Sequence, residues 1–128
     1  MAGFSDYLEN KVLDHVFRNT SYTPPTTVYL GLFTAAPSDS GGGTEVSGGS
    51  YARQSIAFGA AAAGATDNTG LLSFPTPTAD WGVVTHAALF DALTAGNMLA
   101  WGPLTNSRNI LTNDTVRVNI GDLDLTLD

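Results

Sequence analysis

Hydrophobic and polar residues alternate at the end of the chain. Residues 116–120 and 123–127 each place an apolar side chain at every second position, and Arg, Asn, Asp or Thr lie between them. Side chains of a β-strand point alternately to its two faces, so this period of two predicts strands with one buried and one solvated face. Such strands are typical of antiparallel sheets in sandwiches and barrels.

A helical period appears only near the start of the chain. Apolar residues recur every four positions at Phe4, Leu8, Val12 and Val16, and Ser5 has the side chain of an N-cap residue. The prolines at positions 24 and 25 end the pattern. We predict one amphipathic helix over residues 5–18, which packs across the β domain or docks on a partner.

Strand-prone runs separated by Gly, Pro and Asn fill the rest of the chain. They lie at residues 26–34, 51–58, 71–74, 81–90, 98–101, 110–111, 115–120 and 123–127. Residues 26–34 carry apolar side chains on both faces, which indicates a central strand. The pattern predicts a mainly β, antiparallel sandwich of the jelly-roll type with about eight strands, in a single domain over residues 1–128 whose β part begins near residue 26.

Two segments are predicted to be loops. Residues 103–113 are mainly loop, apart from the candidate edge strand at Ile110 and Leu111, and residues 35–50 are rich in Gly and Ser. The second segment is interpreted either as an arm that orders against a neighbouring subunit or as a flexible surface loop. Its three consecutive glycines, Gly41 to Gly43, lack the Gly-Lys-Ser/Thr ending and the following helix of a phosphate-binding loop.

Composition narrows the function classes. Only 13% of the residues are charged, which fits either a surface largely covered by other subunits or a surface made of Thr, Ser, Asn and Gly. The net charge of −7 and the absence of a basic cluster argue against direct nucleic-acid binding. The chain has no cysteine, which fits assembly in a reducing cytoplasm, and we expect neither a signal peptide nor a membrane span.

Candidate catalytic residues do not form a recognisable motif. His15 and His86 lack the spacing of metal ligands, and no Gly-x-Ser-x-Gly sequence occurs. The acidic residues fall in turns or on polar strand faces, where solvation explains them better than a glycosidase carboxylate pair. We therefore predict no enzyme activity, no metal and no cofactor.

Three segments resemble a family of small structural proteins of tailed bacteriophages. They are residues 26–37 (TTVYLGLFTAAP), 43–54 (GTEVSGGSYARQ) and 81–91 (WGVVTHAALFD), and the resemblance extends over residues 3–128. Members of this family are often labelled tail fibre proteins. Similar small proteins are jelly-roll cement proteins that decorate the capsid, commonly as trimers.

The resemblance implies a location in the virion, and the compact domain favours a capsid cement protein that bridges neighbouring capsomers. A fibre usually has a repetitive or helical shaft, which this sequence lacks. A tail or tail-fibre component that contacts the host surface is the alternative. The expected partners are further copies of the chain, as a homotrimer, and the major capsid protein or another virion subunit, but neither nucleic acid nor a membrane. The candidate interface residues are Phe4, Leu8, Val12, Val16, Tyr51, Arg53 and Trp81.

Overall fold

The computed structural model describes residues 3–127 and shows ten strands of differing length and one helix. Met1, Ala2 and Asp128, which the predicted domain includes, lie outside the described residues. The elements in chain order are β1 (Gly3–Phe4), α1 (Asp6–Phe17), β2 (Val28–Ala35), β3 (Thr44–Glu45), β4 (Gln54–Ile56), β5 (Ala65–Asp67), β6 (Leu72–Ser73), β7 (Gly82–Phe90), β8 (Met98–Ile110), β9 (Arg117–Val118) and β10 (Asp124–Thr126).

The main sheet is antiparallel and has β7 and β2 at its centre. Its strand order is β1-β8-β7-β2-β3, and β4 also pairs with β2. The register places Leu30 opposite Leu89 and Ala88 opposite Trp101. The longest pairing is therefore the hairpin of β7 and β8, and β2 extends it on the other side.

Both faces of this sheet are covered. Leu30, Val84 and Leu89 are at most 2% exposed and lie in the larger core. Phe33 and Phe90 stack on the opposite face, with ring centroids 6.0 Å apart. The prediction of a central strand with two apolar faces at residues 26–34 is thus confirmed.

A second layer closes the larger core. Two small antiparallel sheets, β5 with β10 and β6 with β9, belong to this layer. Leu72, Phe74 and Trp81 are buried in the core, and Val118 and Leu125 pack against it. The mainly β, antiparallel fold with one N-terminal helix is confirmed, with ten strands instead of about eight, whereas the jelly-roll connectivity stays a prediction.

The helix begins and ends close to its predicted limits. Ser5 is the N-cap, and its side chain accepts a hydrogen bond from the Leu8 N–H at 3.2 Å. Asp6 and Glu9 place negative charge in the first turn, where it stabilises the helix by interacting favourably with the helix dipole. Helix α1 is too short and too polar to span a membrane, and it is the only helix within residues 3–127.

The prediction of a loop at residues 103–113 was wrong for its first part. Strand β8 continues to Ile110 because its end pairs with β7 again, with Val84 opposite Arg108 and Gly82 opposite Ile110. The register shifts between Val84 and His86, next to Pro103. A proline can lie in a strand beside such an irregularity, where a ladder hydrogen bond is already missing.

Residues 35–50 fold back onto the domain. Pro37 and Val46 are buried, and β3, which lies within this segment, pairs with β2. Ser38 and Gly41 exchange two backbone hydrogen bonds of 2.9 Å. These contacts hold the segment against its own chain, so its conformation does not require the neighbouring subunit that one of the two interpretations included.

Gly31 is required because the Glu45 carboxylate lies against β2 at this position. A Cβ atom at this position would lie 2.7 Å from Glu45 Oε2 and 3.2 Å from the Tyr51 hydroxyl. We predict that Gly31→Ala lowers the free energy of unfolding by about 1–3 kcal/mol, because both side chains must shift. Urea denaturation measures this loss. Gly3→Ala is the matched control, since a Cβ there meets nothing within 4 Å, and equal losses for the two variants would contradict the prediction.

Candidate assembly site

Helix α1 is held against the sheet through its N-cap residue, Ser5. Ser5 is 2% exposed, its N–H donates to the Leu99 carbonyl at 2.8 Å, and its hydroxyl donates to the Met98 carbonyl. Phe4, Tyr7 and Leu8 then pack against the larger core. The first half of the helix is therefore part of the domain.

The second half of α1 leaves its apolar side chains in solvent. Leu13 is 54% exposed, Val16 61% and Phe17 78%. We call these three residues the apolar tip of α1. Helix α1 has no fully buried residue, so much of its apolar surface is available to another molecule.

The predicted interface residues divide into two groups. Phe4 and Leu8 pack on the core, Val12 is half-buried, and Val16 lies in the apolar tip. Tyr51, Arg53 and Trp81 lie in contacts within the chain and are described below. Leu13 and Phe17 were not among the predicted interface residues, although their spacing of four residues marks a second apolar stripe on the helix.

Trp81 belongs to an aromatic cluster in the larger core. It is 5% exposed, and its indole N–H donates to the Gly49 carbonyl at 2.9 Å. The rings of Tyr51 and Phe74 meet it edge-on, with centroids 5.3 and 6.3 Å away. This geometry is favourable for aromatic pairs and explains Trp81 without a partner.

Arg53, Glu45 and Tyr51 form a polar network beside this cluster. The Arg53 guanidinium donates two hydrogen bonds of 2.8 Å to the two carboxylate oxygens of Glu45. The Tyr51 hydroxyl donates to Glu45 Oε2 at 2.6 Å and accepts from the Leu32 N–H at 2.9 Å. The carboxylate therefore receives three charge-assisted hydrogen bonds.

Arg53 also supports the turn between β7 and β8. Its Nη1 donates to the carbonyls of Ala92 and Ala95 at 2.9 and 2.8 Å. Its guanidinium lies 3.5 Å from the centroid of the Phe90 ring, which is a cation–π contact. Arg53 is 9% exposed, and these contacts account for its burial. The prediction that Tyr51, Arg53 and Trp81 contact a partner stays a prediction.

The network perturbs the acidity of Tyr51. Burial of the phenol raises its pKa well above the ordinary value of 10.0, and the hydrogen bond to Glu45 raises it further. The folded protein therefore holds the Tyr51 proton more tightly than the unfolded chain does.

The remaining polar candidates have local roles. His86 is half-buried and its Nδ1 lies 2.8 Å from the Thr85 hydroxyl, as a hydrogen-bonded strand residue would. Carboxylate oxygens of Asp6, Glu9 and Asp39 lie within 4.8 Å of one another, and all three residues are exposed. Asp39 accepts a hydrogen bond from the Trp101 indole at 2.8 Å. We attribute no ion to this group.

These features define a class of protein: a small antiparallel β domain whose polar network is internal and whose one helix within residues 3–127 exposes an apolar tip. A family model described as "Podophage GP4 fiber I protein gp80" matches residues 3–126. The chain belongs to this family, and it is a structural protein of a bacteriophage virion, as the sequence resemblance implied. No curated protein matches the chain.

The buried ion pair should contribute more to stability than the exposed one. We predict that Arg53→Met lowers the free energy of unfolding by about 3 kcal/mol or more, because it leaves the Glu45 carboxylate without its cation. Arg18→Met is the matched control. It removes a pair with Asp14 whose side chains are 72% and 40% exposed, and should cost about 0.5 kcal/mol or less. Chemical denaturation of both variants tests this, and similar small losses would refute it.

Stability should fall at alkaline pH because of Tyr51. Its folded pKa is raised, so its contribution is complete below the unfolded pKa of 10.0 and is lost as the pH rises above that value. We expect Tyr51→Phe to flatten the decrease in unfolding free energy between about pH 9 and 11. Tyr29→Phe, which leaves the network intact, should keep the wild-type slope. A Tyr51→Phe slope equal to that of the wild type would exclude this explanation.

Proposed function

We propose that the chain is a subunit of a tail fibre, attached to another subunit of the same particle through the apolar tip of α1. The family match carries this proposal, since the description of the family names a fibre protein and the match extends over residues 3–126. On this proposal the protein acts by binding and carries out no reaction.

The apolar tip supports an attachment role. Leu13, Val16 and Phe17 lie on neighbouring arcs of the last turns of α1 and are each more than half exposed. Burying side chains of this size stabilises an interface by about 1.5–3 kcal/mol each. The helix is held at its other end by Ser5, so the tip has a fixed position relative to the sheet.

The capsid cement function favoured by the sequence has less support. The cement function was favoured because the sequence lacks a fibre shaft. Another protein can supply the shaft when this chain forms only one part of the fibre. The family description names a fibre and no capsid component. Homotrimer formation and binding to the major capsid protein stay predictions.

Cryo-electron microscopy of the virion locates the chain directly. We expect its density in appendages attached to the tail and a small number of copies per particle. Density spread over the shell, with hundreds of copies, would overturn the fibre proposal in favour of the cement function.

Attachment through the tip can be tested in particles assembled with variant chains. We predict that Leu13→Gln with Phe17→Gln reduces incorporation of the chain by roughly tenfold or more, because two apolar contacts are lost while glutamine keeps the helix intact. The ratio of this chain to the major capsid protein on a denaturing gel measures incorporation.

The matched control variant changes exposed apolar residues outside the helix. Leu71 is 54% exposed and Ile120 65%, so Leu71→Gln with Ile120→Gln alters a similar surface. It should be incorporated at the wild-type level. If both double variants are incorporated equally well, the tip is not the point of attachment.

A further inference from the structure

A cleft of about 660 Å³ lies between the outer half of β8 and residues 114–123. Phe74 and Val84, both buried, line its floor, and Leu104, Val116 and Leu123 extend the apolar lining. Sites for small ligands have this range of volume and this combination of an apolar floor and a few polar groups.

Two exposed arginines line this cleft. Arg108 and Arg117 are exposed, and neither side chain makes a hydrogen bond or ion pair within residues 3–127. The other basic side chains are engaged, since Arg18 pairs with Asp14, Arg53 binds Glu45, and Lys11 lies 5.6 Å from the Tyr7 ring centroid. The net charge of the chain is −7, yet the two guanidinium groups that have no partner within residues 3–127 both lie at this cleft.

Amide side chains complete the polar lining. Asn106, Asn109 and Asn119 are exposed, and their side chains also have no hydrogen-bond partner in the described part of the chain. An amide both donates and accepts hydrogen bonds, which matches a hydroxyl group, and a guanidinium binds a carboxylate through two parallel bonds. A ligand with many hydroxyls and some carboxylates satisfies both.

The acidic residues of the cleft restrict the charge of the ligand. Asp114 and Asp122 line the same space, so the cleft as a whole balances two positive with two negative side chains. A densely charged polyanion such as nucleic acid would face repulsion from both carboxylates. Carboxylates separated by neutral, hydroxyl-rich units can reach the arginines and avoid this repulsion.

We propose that this cleft binds an acidic saccharide, in which sugars carrying a carboxylate alternate with neutral sugars. The guanidinium groups of Arg108 and Arg117 bind the carboxylate, the asparagine amides bind ring hydroxyls, and the apolar floor contacts the C–H face of a sugar. The cleft lies outside the apolar tip of α1, so the site does not depend on how the chain is attached to the virion.

Nuclear magnetic resonance titration of the full chain tests the site. The probe is a hyaluronan tetrasaccharide, in which every second sugar carries a carboxylate. We expect it to shift the side-chain amide signals of Asn106, Asn109 and Asn119, with a dissociation constant on the order of 1 mM or lower. The absence of these shifts at about 10 mM probe would overturn the proposal.

Two further probes separate charge from sugar recognition. Chitotetraose offers neutral sugars, and the blocked peptide Glu-Gly-Glu-Gly offers the same number of carboxylates without sugar hydroxyls. We expect the neutral saccharide to bind at least about fivefold more weakly than hyaluronan and the peptide to give no saturable shift, because each lacks one of the two recognised groups. Equal binding of either probe would overturn the proposed ligand class.

Variants identify the residues that bind the probe. Arg108→Gln with Arg117→Gln should weaken binding of the hyaluronan tetrasaccharide by at least about tenfold, since two charged hydrogen-bonding groups are lost. Arg18→Gln removes an exposed arginine on α1 and serves as the control, with unchanged affinity expected. An unchanged thermal midpoint shows that the double variant is folded, and unchanged affinity in that variant would exclude the cleft.

Discussion

The carboxylate of Glu45 is the constraint on which the centre of this structure depends. A partly buried carboxylate is costly unless cations and donors surround it, and here Arg53 and Tyr51 supply three hydrogen bonds. Those two residues in turn hold the Leu32 backbone and the turn after β7. One ion pair thus links β3, β2, the segment before β4 and the β7–β8 hairpin, and Gly31 provides the space that it occupies.

Elements that depend on their own sequence were predicted well. The four-residue period of α1 and the Ser5 cap are local signals, and the helix begins and ends within about one residue of its predicted limits. Strand β8 shows the opposite case. Its second half is mostly exposed and polar, and it is a strand because β7 pairs with it. The sequence of residues 103–110 contains no pattern that predicts this pairing. Pairing partners distant in sequence are therefore the part of this fold that could not be predicted.

The end of the chain shows how alternation can be right while its interpretation is incomplete. Val116, Val118, Leu123 and Leu125 do pack towards the core, but the prediction was wrong for Ile120 and Leu127, which are 65% and 55% exposed. The strands in this part of the chain have only two or three residues, too few to bury a whole face. The conformation is fixed by Asn68, which is fully buried. Its side chain donates to the Gly70 and Asn119 carbonyls and accepts from the Leu123 N–H. Within a Thr-Asp-Asn-Thr-Gly turn sequence, nothing distinguishes this asparagine from an exposed one.

The candidate site was predictable only in part, for a related reason. Tyr, Trp and Arg are enriched both at interfaces and in paired buried positions, so residue type alone did not reveal that Tyr51, Arg53 and Trp81 face inward. The structure shows that the polar groups of these three residues bond within the chain, and no buried side-chain nitrogen or oxygen in residues 3–127 lacks a partner. Groups that have no partner within residues 3–127 lie at the surface, among them the apolar tip of α1 and the two arginines of the cleft. A chain whose buried polar groups are all bonded and whose unpaired groups lie at the surface can bind other molecules without unfolding any part of itself, which is the property that the proposed fibre subunit requires.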